Sequence, residues 1–143
     1  MIKRNFPIPF PTLFELTKVR ISLAVSLTAL TGFIIYSQSF IPDLIFPVAG
    51  VFLLASGASA LNHIQEKNVD SRMDRTSGRP LPVGAIQSKH ALIIAILFIM
   101  PGSIVLLLSS LSALILGLIA LLWYNGIYTY LKRVTAFAVV PGS

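Results

Sequence analysis

The sequence contains no cysteine, and only five of its 143 residues are acidic. The missing cysteines exclude a disulfide scaffold, a thiolate metal centre and a cysteine nucleophile, and they leave the redox compartment open. Charge of either sign is scarce, at 11% of residues. A soluble domain carries about 25%. So few charges cannot cover a water-facing surface, which argues against a soluble globular enzyme. The chain is 55% hydrophobic, with a mean hydropathy of +0.85. That excludes intrinsic disorder, which needs low hydrophobicity. What charge there is leans positive: eleven Lys and Arg against five acids give a net +6. On a soluble chain this balance would point to nucleic acid. On an apolar chain it points to membrane topology, and no nucleic-acid role is expected.

Length allows one small domain, and the uncharged runs divide it. Ile21 to Phe40 is 20 residues without a charge, Leu44 to Asn62 is 19, and Ala91 to Leu131 is 41. About 20 apolar residues cross a bilayer core. The first two runs are therefore one span each and the third is two, folded into a hairpin at Ser109-Ser110. A break at Pro101-Gly102 would leave Ala91–Met100 too short to cross, so Pro101 reads as a kink inside the third span. The expected spans are 21–40, 44–62, 91–108 and 111–131, with a polar loop over 63–90. All eleven basic residues then fall on one side. By the positive-inside rule both termini and the polar loop are cytoplasmic. An all-α integral membrane protein of four spans is expected, in a bacterial or archaeal cytoplasmic membrane. No secretory cleavage pattern, internal repeat or low-complexity tract stands out. Alternating prolines keep Asn5–Pro11 out of a helix, and Thr12–Arg20 reads as a short interfacial helix entering the membrane.

Chemistry concentrates in the loop between the second and third spans, which holds three of the five acids. Asn62, Glu66 and Asp70 are spaced by four. If the second span continues as a helix past the bilayer core, they stack on one face, a turn apart. Two carboxylates and an amide oxygen are hard ligands suited to Mg²⁺, which takes one or two carboxylates together with substrate phosphates. Arg75 and Arg79 follow, again four apart, with planar forks that match phosphate oxygens. Pro80 pushes Arg79 out of helix geometry and Gly78 eases a turn, so 78–84 forms a loop that carries an arginine back toward the helix end. A metal–diphosphate would fit between such a stripe and such arginines. The spacing alone is equally compatible with an ordinary cytoplasmic loop of solvated charges.

At these residues the sequence resembles the UbiA superfamily of intramembrane prenyltransferases. The resemblance rests on Asn62-x₃-Glu66-x₃-Asp70 followed by Met73-x-Arg75-Thr76-x₂-Arg79-Pro80-Leu81-Pro82-x-Gly84, which is similar to the family's first aspartate-rich motif. Leu16–Ile21 is similar to the opening before its first helix, and Tyr128–Thr135 to the segment after its fourth. Within the family the pattern is most like the haem O synthase branch. The resemblance implies farnesyl diphosphate as donor, Mg²⁺ as cofactor, and the vinyl group of haem b as acceptor. It gives Asn62, Glu66 and Asp70 the metal and catalytic role, and Arg75, Arg79, Lys132 and Tyr128 the diphosphate. Asp74 lies off the stripe, and His63 and His90 are not expected to ligate haem. The family is about twice this length, with a second acidic motif that this chain lacks. The chain is therefore expected to be a fragment, or a half that needs a partner or second copy. Prenyl transfer to an aromatic quinone precursor, and a non-catalytic four-helix subunit, stand as alternatives.

Overall fold

A computed structural model describes residues 8–38, 42–135 and 137. Every regular element among them is helical. Helix α1 spans Phe10–Leu16 and holds Pro11 in its first turn. A proline there loses no hydrogen bond, because the first four N–H groups of a helix have no internal partner. The helix therefore starts inside the proline-rich segment rather than after it, and residues 1–7 lie outside the described ones.

The expected continuous helix over Thr12–Arg20 is broken instead. Lys18 adopts φ 46° and ψ 51°, and α2, Val19–Ser37, starts after it. A left-handed residue other than glycine costs roughly 1–2 kcal/mol, so its neighbours must hold it. Leu16 is fully buried in the core. The Thr17 hydroxyl donates to the Leu13 carbonyl at 2.9 Å, and the Ser22 hydroxyl donates to the Thr17 carbonyl at 3.0 Å. These bonds fix the corner from both sides.

A single 3₁₀ turn, Pro42–Leu44, leads into α3, Ile45–Asp70. At 1.5 Å per residue these 26 residues reach about 39 Å, beyond a hydrocarbon core of about 30 Å. Helix α4 is Ser88–Ser109 and keeps Pro101 within it. Ser110 is extended, and its hydroxyl accepts from the Ala113 N–H at 3.3 Å, capping α5, Leu111–Leu122. A π-helical segment, Trp123–Tyr128, joins α5 to α6, Thr129–Val134.

Among the described residues, four helices are long and apolar enough to cross a membrane: Val19–Ser37, Pro42–Asp70, Ser88–Ser109 and Leu111–Val134. Helices α3 and α4 approach closely through glycines. A Cβ on Gly57 would lie 2.5 Å from Ile99 Cγ1 and 2.9 Å from the Ala95 carbonyl oxygen. Small residues at such seams let helices pack where water supplies no driving force between them.

The segment between α3 and α4 is folded, not loose. Leu81 and Ile86 are buried in one cluster with Leu16, Ala60, Ala91 and Ala95. The Thr76 hydroxyl donates to the Asp70 carbonyl at 3.1 Å, and Ile86 N–H donates to the Pro80 carbonyl at 3.3 Å. Gly84, at φ 77°, makes the turn that a side chain would strain. The segment therefore closes one end of the bundle, and that end carries the polar residues.

Candidate functional site

The last two turns of α3 present Asn62, Glu66 and Asp70 on one face, all buried. A buried carboxylate is costly unless paired and hydrogen-bonded. Here both are. Arg79 Nη1 lies 2.7 Å from Asp70 Oδ2 and 3.8 Å from Glu66 Oε2. Lys132, on α6, pairs with Glu66 Oε1. Asn62 Nδ2 donates to Glu66 Oε2 at 2.9 Å. Arg79 reaches the stripe because Leu81 anchors the following turn in the core.

Two expected contributors stand apart from this contact. Arg75 is exposed and outside the ion-pair cluster. The helix ends at Asp70, and tight turns in which Thr76 and Ser77 N–H donate to the Met73 carbonyl break the four-residue relation to Arg79. Tyr128 stacks on Tyr124, centroids 5.7 Å apart, and its ring lies 5.5 Å from Lys132 Nζ. It touches the cation rather than the acids, a geometry in which the ring quadrupole attracts the ammonium. Asp74 is exposed.

Four residues not singled out in the sequence take part. Lys18 is half-buried at the left-handed corner. Burial pushes its ammonium below the ordinary lysine range, with Arg79 adding to the effect and Glu66 opposing it. Those interactions put it within electrostatic reach of the cluster. Asn125, in the π-helical segment, donates through Nδ2 to the Ala58 carbonyl at 3.0 Å and to Gln65 Oε1 at 3.1 Å. Gln65 Nε2 donates back to the Asn125 carbonyl at 3.1 Å. Thr129 Oγ1 lies 2.9 Å from Asn62 Oδ1. A signal for Asn125 was available: a lone carboxamide inside an apolar span marks a helix–helix hydrogen bond.

Beside the cluster an apolar cleft of about 270 Å³ opens between α2, α3 and α5. Ile21, Val25, Leu54, Ala55 and Leu121 line it, as do Tyr124 and Ser59, the latter about one turn before Asn62 on α3. His63, next to Asn62, is buried with neither ring nitrogen paired among the described residues; His90 is exposed at the start of α4.

The donor set fits Mg²⁺. Glu66 and Asp70 offer carboxylate oxygens one turn apart, and Asn62 can add its amide oxygen on turning its carboxamide over, since Nδ2 now faces Glu66 and Oδ1 faces Thr129. Among the described residues no three His, Cys, Asp or Glu side chains gather as a metal cage. An ion here would draw its remaining ligands from phosphate and water, as Mg²⁺ commonly does. Two acids pair with two cations, Arg79 and Lys132, and Lys18 adds a third positive charge that both acids influence, so the cluster can take an anion together with its counter-ion.

Membrane-length helices around a buried polar cluster at one end define the class: an integral membrane protein with a site set between its helices. The chain belongs to the UbiA prenyltransferase family, whose pattern matches residues 25–143. It is similar to the protoheme IX farnesyltransferase of Cytophaga hutchinsonii, 37% identical over 137 residues, covering 94% of this chain and 48% of that protein. The protoheme IX farnesyltransferase of Oleidesulfovibrio alaskensis is 33% identical over 130 residues, covering 90% and 46%. That of Legionella pneumophila strain Lens is 34% identical over 143 residues, covering 96% and 48%. The chain spans about half the length of these curated relatives. No solved structure matches it.

Proposed function

We propose that this chain supplies the diphosphate-binding half of a membrane prenyltransferase that moves a farnesyl group from farnesyl diphosphate to a vinyl group of haem b. The observation that carries the proposal is the buried cluster of Asn62, Glu66 and Asp70 with Arg79 and Lys132. Its acids are held by cations that can turn to phosphate oxygens once a metal–diphosphate arrives, so no charge is left buried and unpaired. The relatives' names support haem as acceptor. The cluster itself reads the diphosphate, so the aromatic-ring alternative is separated only by the acceptor.

The reaction breaks the allylic C–O bond and leaves its electron pair on the diphosphate. Arg79, Lys132 and Lys18 face the oxygens where that charge develops, and preorganised charges of this kind supply much of the stabilisation in such sites. Tyr128 holds the Lys132 ammonium against its ring. Arg75, exposed beyond the turn, meets the diphosphate from the solvent side. When bound, Mg²⁺ neutralises the leaving group. The apolar cleft receives the isoprenyl chain and keeps water from the allylic carbocation until the vinyl π electrons form the new C–C bond; the cation this leaves on the other vinyl carbon then adds water, which loses a proton. The end that carries the basic residues is cytoplasmic, as are both termini. The remaining half is supplied by further chain or a second copy.

The test is isothermal titration of the protein in nanodiscs with farnesyl diphosphate, with and without Mg²⁺. Binding that needs Mg²⁺ supports the reading. Absence of binding under both conditions rejects it in favour of a non-catalytic membrane subunit.

A further inference from the structure

The hydroxyl of Thr129 stands between two carbonyl oxygens. It is 2.9 Å from Asn62 Oδ1 and 2.8 Å from the Tyr124 carbonyl oxygen, and both Thr129 and Asn62 are buried. A hydroxyl has one proton to give and two lone pairs to receive with, so it cannot fully serve both oxygens. The Tyr124 carbonyl also accepts the Thr129 backbone N–H across the π-helical turn. In an ordinary helix the threonine hydroxyl would bond the carbonyl four residues back, that of Asn125. That carbonyl is taken by Gln65 Nε2. The π-helical segment thus places the Thr129 hydroxyl between the Tyr124 carbonyl and Asn62.

We propose that Thr129 is a positioning residue whose hydroxyl lets the Asn62 carboxamide take two opposite orientations, one for the metal-free site and one for the metal-loaded site. The inference rests on the Mg²⁺–diphosphate reading above. In the orientation present, Asn62 Nδ2 donates to Glu66 Oε2 at 2.9 Å and Oδ1 accepts from Thr129. Turning the carboxamide over brings Oδ1 beside Glu66 Oε2. Two oxygens in that position repel each other unless a cation lies against both, so this orientation belongs to the loaded site. Nδ2 then needs an acceptor, and Thr129 Oγ1 becomes one, sending its proton to the Tyr124 carbonyl. A valine would strand Asn62 in either orientation. A serine would keep the exchange.

The experiment compares wild type with Thr129→Val, Thr129→Ala and Thr129→Ser in nanodiscs. Each is titrated with farnesyl diphosphate at increasing Mg²⁺, and each is melted without ligand. Losing a partner that orients a metal ligand typically weakens metal affinity by about 10- to 100-fold. Thr129→Val should therefore raise the Mg²⁺ concentration for half-maximal diphosphate binding at least about tenfold. Thr129→Ala, which removes the hydroxyl without adding an apolar branch, should do the same. Thr129→Ser should stay within about threefold of wild type. Unchanged Mg²⁺ dependence in both hydroxyl-free variants overturns the inference. So does Thr129→Ser failing as badly as they do, because the methyl group would then be what matters. If the wild type binds no diphosphate at any Mg²⁺ concentration, the diphosphate reading itself fails and the inference falls with it.

Discussion

Asp70 and Asp74 are four residues apart, but only Asp70 is buried and bonded to Arg79. Removing one partner of a buried pair costs about 3–5 kcal/mol, because the other charge is left behind. That cost falls on folding; for binding, Asp70→Asn removes one of the two carboxylate charges offered to Mg²⁺ and should lower Mg²⁺-dependent diphosphate affinity at least about tenfold. Asp74→Asn, at an exposed position, should change it less than about twofold. Titration calorimetry on the two variants decides the matter, and equal losses would mean the site lies elsewhere. Lys18 makes a different kind of claim. Burial lowers its pKa, so between that lowered value and the ordinary lysine value the folded state binds fewer protons than the unfolded state. Stability from this group therefore rises with pH across that window, and the penalty is present in full below it. An anion beside Lys18 restores the proton. Diphosphate binding in the same window should take up protons in the wild type, seen as a dependence of binding heat on buffer ionisation enthalpy. Lys18→Met should abolish the uptake, and a variant that keeps it would remove Lys18 from the site.

At the scale of the element, regular features were legible and irregular ones were not. The charge-free runs are local, so the four spans could be read from them, and Ser110 proved to be the turn because its hydroxyl can cap the next helix. The acid stripe followed from period and the continuation of α3. The left-handed corner at Lys18 and the π-helical segment have no local signature. Thr17–Leu13 and Ser22–Thr17 bonds hold the first, with Leu16 buried in the core; Asn125 bonds to Ala58 and Gln65, some sixty residues away in sequence, hold the second. Lys132 was reached through resemblance, yet its contact with Glu66 depends on that π-helical segment, which turns α6 toward α3. The α3–α4 seam gives a prediction of its own. Gly57→Ala places a methyl 2.5 Å from Ile99 Cγ1 and 2.9 Å from a backbone oxygen. Overpacking of that kind costs about 1–3 kcal/mol. Gly32→Ala, in α2 with nothing within 4 Å, should instead hold or gain up to about 1 kcal/mol from reduced chain entropy. Thermal melting in one detergent should order the proteins Gly32→Ala, wild type, Gly57→Ala; a Gly57→Ala that melts with wild type would mean the helices do not approach this closely.

The whole molecule is uneven in its cover. In α3, 44% of the most apolar window is buried; in Leu111–Val134 only 6% is. The face of α5 and α6 opposite α3 thus offers apolar side chains to lipid or to another part of a larger bundle. The polar cluster is likewise one-sided: among the described residues, the acids and cations that pair there come from α3, the segment after it and α6. Ionising an allylic diphosphate spreads charge over oxygens that must be met from several directions. A carbocation formed in a half-open site would be captured by water. Residues 1–143 alone should therefore retain Mg²⁺-dependent binding of the diphosphate head, yet form no prenylated product. The assay is the purified chain in nanodiscs with farnesyl diphosphate, Mg²⁺ and haem b, with products separated by chromatography. Farnesylated haem above a no-protein control would show that four spans suffice, and cross-linking would then be expected to find two copies, each closing the other's open side.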